Sequence, residues 1–443
     1  MKRILYIIGV LGLFLFSACN KNDNTATTSS IAKLTSFSFA KNDSMPGLAK
    51  AVFTIDERLD TGLVWNKDSI LYGTRLDSVV PRFTFEVTPG ATTLTFPDTV
   101  VTLTGYDTLN FEQSPIYLTV RSSDKTTTKV YEIRATVHQA DPDLYIWEQL
   151  TKNIYPSDDS EQKVVELGTN FIMLASNGFE LKAYSSADGI KWTQLTNPSG
   201  LPAGTNVRQI ICDGNTLLYG QDSIIYASTD AVSWTTHQVS YPVRTMLLFW
   251  NDINWALVEN NGQYELATWQ GDSLLLSGLQ PQGEFPVSDF GTVTFLSASL
   301  RNRAMIIGGF AENGKSLNTR WNIEYSRHTE ENNGYRLQEF SIDRPSFTSL
   351  TGISVVNYNA QLMLFGGVDE KMSYFGREIL LSENEGLTWE MADTTKNQLP
   401  EVYQARQKQN AIVRGNYIYL FGGQDANKTY SDVYRGKLNS IDW

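Results

Sequence analysis

The chain has 443 residues, 41% of them apolar, with 10 Trp, 21 Tyr and 21 Phe, enough for two or three cored domains rich in sheet. Its formal net charge is −12, with the acidic excess spread along the chain. That excludes the basic stripe of a nucleic-acid binder and the basic face that adheres to anionic membranes.

The N-terminus reads as an address. Lys2 and Arg3 precede an apolar run from Ile4 to Phe16, too short for a bilayer span and therefore an export signal. It ends in Phe16-Ser-Ala-Cys19, which resembles the lipobox of bacterial lipoproteins. The resemblance implies cleavage before Cys19, lipidation of that residue, and attachment to a membrane through the lipid. Residues 1–19 are thus expected to be a signal peptide. Residues 20–33, beginning with a polar Asn/Thr/Ser/Lys/Asp stretch, are expected to form a flexible tether. The other cysteine is Cys212, so no internal disulfide is expected, and Cys212 reads as a buried structural thiol.

From Leu34 to His138 the apolar period is two. Phe37 and Phe39 alternate with Ser36 and Ser38, and Phe83, Phe85 and Val87, like Tyr131 and Ile133, recur at every second position. The pattern predicts an all-β sandwich of about seven strands over residues 34–141. Its closing strand, Lys129 to Val137, resembles the end of immunoglobulin-like modules in Bacteroidota surface lipoproteins, and that resemblance implies a spacer.

Residues 142–443 repeat. Six second strands stand out, at Phe171–Ala175, Thr216–Gly220, Trp255–Val258, Met305–Gly309, Leu362–Gly367 and Tyr417–Gly423. Third strands follow at Leu181, Ile224, Glu265, Asn322, Glu378 and Asp432. Tight polar turns such as Asp213-Gly-Asn215 and Arg414-Gly-Asn416 favour hairpins. Four short strands per unit predict a six-bladed β-propeller. Leu144–Leu150 fits only a fourth strand, so it is expected to complete the last blade and remove the free sheet edge.

Two resemblances lie inside the repeats. The Gly-Gly pairs at 308–309, 366–367 and 422–423 resemble kelch repeats. Ser382-Glu-Asn-Glu-Gly-Leu-Thr-Trp389, with weaker copies at Ser186–Trp192 and Ser228–Trp234, resembles the Asp-box of sialidase-like propellers. The likeness implies structural roles: Asp188, Asp230 and Asn384 clamp turns, while Trp192, Trp234 and Trp389 pack as core. It does not carry sialidase chemistry, because the Arg-Ile-Pro motif is absent and Asp343-Arg-Pro345 is a poor substitute. His138, His237 and His328 lack ligand-like spacing, so no metal and no cofactor are expected.

A ligand is expected at the channel mouth, on loops between blades and between second and third strands. The candidates are Arg208, Arg244, Trp321, Tyr374, Phe375, Arg377, Tyr403 and Arg406, an aromatic-plus-arginine set suited to sugar rings. The expected protein is a monomeric envelope lipoprotein, in the outer membrane and exposed at the surface, that binds glycans or other surface ligands without catalysis. A glycoside hydrolase or lyase with a divergent propeller site, and a protein-interaction scaffold in a surface complex, are the alternatives.

Overall fold

The computed structural model describes residues 28–155, 161–327, 331–340 and 349–439. The export signal, Cys19, most of the tether, His328, residues 343–345 and Trp443 lie outside the described residues. The chain divides into two compact units between Asp141 and Pro142.

The first unit is a β domain. One six-stranded sheet runs in the order Phe53–Asp56, Thr61–Asn66, Thr128–Arg134, Ile116–Arg121, Ala91–Thr95, Val100–Thr102. Leu34–Phe39 and Pro81–Phe85 form a second, two-stranded sheet. Strict alternation would turn Leu34 away from Phe37 and Phe39. A register shift between Leu34 and Ser36 instead points all three inward, because one extra residue resets a period of two. Phe37 then packs on Phe39, Phe53, Phe83 and Phe111. The single helical turn at Gly47–Lys50 was not expected from the alternation.

The second unit is a propeller of six blades. Blade 1 comprises Glu161–Leu167, Asn170–Ser176, Leu181–Ser186 and Thr193–Gln194. Blades 2 and 3 form one six-stranded sheet because Thr235–Trp250 serves both. Its start pairs with Ile224–Ala227 as the outer strand of blade 2, and its end pairs with Ile253–Val258 as the inner strand of blade 3. Leu217–Ser228 folds back on itself. The rings of Tyr219 and Tyr226 lie 5.8 Å apart, whereas seven residues of straight strand span roughly 23 Å. Asp222, with φ 51°, marks the turn. Blade 4 runs from Gly291–Leu296 to Tyr335–Phe340, and blade 5 from Ser354–Tyr358 to Glu390–Met391. Blade 6 orders Asn410–Arg414, Tyr417–Gln424 and Thr429–Leu438. Its fourth strand is Tyr145–Thr151, paired from Val433↔Thr151 to Leu438↔Tyr145. The ring therefore closes with the start of the propeller unit in the last blade, as its sequence suggests.

The repeated motifs act between blades. Each Gly-Gly pair lies at or near the end of a second strand, beside the start of the next blade's inner strand. Gly366 and Gly422 have φ of 57° and 53°, and a Cβ there would lie 2.2 Å from the amides of Gln409 and Gln162. Gln162 Nε2 donates to the carbonyls of Gly423 at 3.3 Å and Tyr430 at 2.6 Å, and Gln409 Nε2 donates to that of Phe365. Only glycine combines the left-handed backbone with room for that side chain. The Ser-Asp turns behave alike. Asp188 Oδ1 accepts the N–H groups of Ile190 and Lys191 at 2.8 and 3.0 Å, and Asp230 those of Val232 and Ser233 at 2.8 and 2.7 Å. Asn384 Oδ1 accepts the Thr388 N–H at 2.9 Å. Trp234 and Trp389 are buried between neighbouring blades. Trp192 is only partly buried, with its ring edge-on to Phe421 of blade 6.

Candidate functional site

The inner strands of all six blades surround a cavity of about 580 Å³. Most of its wall is Val, Ile and Leu, since these strands are also the innermost layer of each blade core. The polar exceptions include Lys163 on blade 1, Thr292 and Thr294 on blade 4, and Asn357 on blade 5. None of these four side chains hydrogen-bonds another described residue.

Lys163 lies toward one mouth, near the start of its strand. Alternation turns Gln162 and Val164 toward blade 6 and leaves Lys163 and Val165 facing blade 2. There it meets the short 3-10 turn Val207–Gln209, whose Arg208 carries a second positive charge. Burial first, and the Arg208 charge second, push the Lys163 ammonium down to about 8. Four described carboxylates of the inner strands and the mouth are engaged elsewhere, three of them by other cations. Arg208 Nε donates to Asp289 at 2.9 Å, Lys408 pairs with Glu161 at 2.6 Å, and Arg414 holds Glu166 at 2.5 Å. Asp213 accepts the N–H groups of Asn215 and Thr216 at 2.9 and 2.7 Å and lies within 3.3 Å of the Asn254 amide. The thiol of Cys212 is pushed up to about 11, chiefly by burial, so it is neutral.

The mouth is braced across the ring. Arg208 Nη1 donates to the Lys408 carbonyl at 2.8 Å, and Lys408 Nζ stands 3.5 Å from Asp289. The Lys408 N–H donates to Gly352 at 2.6 Å, and Gly352 N–H to Asp289 at 2.8 Å. Segments leading into blades 1, 2, 4, 5 and 6 are thereby tied together. Asp289 and Lys408 also line a second cavity of about 500 Å³, walled by Phe310, Lys315, Glu370 and Met372 among others.

The residues expected to bind ligand do not gather here as one set. Arg208 does, as a brace. Arg244 is exposed and paired with Glu259 at 3.0 Å. Trp321 is a correction: it is 2% exposed, packs on Phe285 at 5.3 Å and donates from Nε1 to the Glu284 carbonyl. It starts the third strand of blade 4, and the pleat turns its side chain into the blade. Tyr403 and Arg406 are also corrections. Arg406 is 1% exposed, holds Asp432 with two bonds of 2.6 and 3.2 Å, and sits 4.1 Å from the Tyr403 ring and 3.8 Å from that of Tyr430. This is a buried clamp that leaves no face for a ligand. Tyr374 and Phe375 are half-buried, Phe375 against the core between blades 4 and 5. Arg377 donates to the Leu399 carbonyl at 2.8 Å. His237 lies in a strand, not a turn, with Asp272 3.6 Å away.

Lys163, Asp289 and Lys408 went unnoticed as site residues. The available signal was Glu161-Gln-Lys-Val-Val-Glu166, which places a lysine in an inner strand where other blades carry Val, Leu or Thr.

Fold and site define a six-bladed β-propeller protein with an N-terminal β domain, and a propeller of this kind suggests a binding or scaffold role. The chain belongs to the DUF6242 family. The model described as "DUF6242 beta propeller domain" matches residues 141–443. That described as "Domain of unknown function (DUF6242) N-terminal domain" matches residues 16–135. No curated protein matches the chain. Among solved structures, one titled "Structure of YjhT" is similar at 13% identity and TM-score 0.46, over 64% of this chain and 95% of that one.

Proposed function

We propose that this protein is a non-catalytic binding protein of the cell envelope. A lipid on Cys19 holds it to the outer membrane, the N-terminal β domain acts as an immunoglobulin-like spacer, and the braced mouth of the channel receives a glycan or another surface ligand. The observation that carries the reading is the channel cavity together with the ion-paired brace of Arg208, Asp289 and Lys408, of which the last two line a second cavity. A rim fixed by ion pairs from several blades is pre-organised, so little ordering opposes binding.

Hydrolysis through a carboxyl proton donor calls for an acid raised toward neutrality. Among the described residues every carboxyl with a shifted ionisation is instead held below its usual range, as at Asp188, Asp230, Glu324 and Asp425. A scaffold role draws support from Phe179 and Met372, 99% and 66% exposed in loops joining second and third strands.

The test is a glycan array with a thermal-shift screen on the full chain, followed by Lys408→Ala, which breaks the brace. A ligand whose affinity drops at least tenfold in that variant supports the reading. Ligands indifferent to Lys408, or none at all, defeat it. Cys19→Ala should move the protein from the membrane fraction to the soluble one, and an unchanged distribution rejects the anchor.

A further inference from the structure

We infer that the central channel is itself a ligand seat, specific for a small hydroxy-carboxylate held by Lys163. The inference deepens the binding reading above by naming a ligand class and placing it inside the channel.

The argument starts from an imbalance. Lys163 is half-buried, and a cation partly withdrawn from water gains from an answering charge. Around Lys163, the carboxylates Glu161, Glu166 and Asp289 are taken by Lys408, Arg414 and Arg208. The Arg208 charge repels it. Asp213, which also lines the cavity, turns its carboxylate to the N–H groups of Asn215 and Thr216, so Lys163 has no ion-pair partner among the described residues, and a ligand's carboxylate supplies one.

The rest of the channel narrows the class. Thr292, Thr294 and Asn357 line the same cavity without side-chain hydrogen bonds to other described residues. Hydroxyls and an amide can donate and accept, which suits a ligand bearing its own hydroxyls. The surrounding Val293, Val355 and Ile412 give apolar walls for the ligand's carbon chain. A volume of about 580 Å³ falls within the roughly 300–1,000 Å³ of small-molecule sites. A phosphate would bring more negative charge than the one unpaired ammonium answers.

The experiment is calorimetric titration of the full chain with D-gluconate and D-glucuronate, with D-glucose and inorganic phosphate as comparisons. At least one of the two acids should bind, glucose should not, and Lys163→Met should abolish the binding. Removing an unpaired charge should leave the variant folded with a melting temperature no lower than the parent's. If Lys163→Met does not fold, Thr294→Val serves as the second variant and should weaken the acid at least threefold. Affinity should fall about tenfold per pH unit once pH rises above the Lys163 value near 8. The bound acid should in turn raise the Lys163 titration followed by NMR.

Equal binding of glucose, stronger binding of phosphate, an undiminished Lys163→Met or Thr294→Val, or no binding of either acid would each overturn the inference. A ligand from the array that depends on Lys408 and ignores Lys163 would overturn it while leaving the binding reading intact.

Discussion

Gly422→Ala should be among the most damaging single-methyl changes in the propeller, and Gln162 should be the reason. Gly422 sits at φ 53°, and the new Cβ would lie 2.2 Å from Gln162 Oε1. The left-handed backbone costs about 1–2 kcal/mol for a residue with a Cβ. The displaced amide also abandons the Gly423 and Tyr430 carbonyls, and losing bonds to buried acceptors costs about 2–3 kcal/mol. The expected loss is about 4 kcal/mol in all, or roughly 8 °C in melting temperature for a unit of this size.

A control separates the two terms. Gly415 has nearly the same φ, 58°, yet nothing lies within 4 Å of its Cβ position. Gly415→Ala should therefore cost only the backbone strain, about 1–2 kcal/mol. Gln162→Ala alone should cost about 2–3 kcal/mol through the same lost bonds. The double variant Gly422→Ala, Gln162→Ala should cost about 4 kcal/mol, well short of the additive sum, because the clash has no partner. Urea unfolding followed by tryptophan fluorescence reads the propeller, since of 10 Trp only Trp65 precedes Pro142. If Gly422→Ala were no worse than Gly415→Ala, or the pair were additive, the view of the Gly-Gly motif as a socket for the next blade would be wrong.

The remaining expectations are shorter. Asp230→Ala should cost about 1 kcal/mol at pH 7 through its turn N–H bonds. Those bonds, to Ser233 first, lower the Asp230 carboxyl below 3.8. The charged side chain's contribution is therefore complete above 3.8 and is lost as pH falls through the lower folded value. The deficit of the variant should thus shrink in acid melts, whereas that of Asn384→Ala, which has no proton to gain, should stay constant. Asp432→Ala should cost about 3–5 kcal/mol by stranding the buried Arg406, and Arg406→Leu on top of it should restore part of the loss. A Cβ at Gly436 would meet the Trp147 ring at 2.4 Å. Gly436→Val should therefore loosen the closing strand and speed proteolysis within Tyr145–Thr151 severalfold. An unchanged rate would mean that closure does not depend on that contact.

The fold was legible because each blade repeats local rules. Period-two strands, Asn-Gly-type turns and Gly-Gly ends are properties of neighbouring residues, and Leu144–Leu150 stood out as a strand lacking a sequence-adjacent blade. Side-chain direction was less legible. Trp321 borders a polar loop, which suggested exposure, but the pleat and Phe285 turn it inward. Arg406 looked like a mouth residue because nothing near it in sequence explains a buried cation. Asp432, which does explain it, stands 26 residues away across the blade. The channel is harder still to read. Its brace joins Glu161 to Lys408 across 247 residues, and that pair meets only once the ring has closed. A lysine in an inner strand is then neither core nor surface. It faces a space created by six strands far apart in sequence, and its lack of an ion-pair partner among the described residues becomes apparent only once Glu161, Glu166 and Asp289 have been matched to theirs. Repetition therefore specifies the propeller, while any site in it must be built from the positions where the repeat is broken.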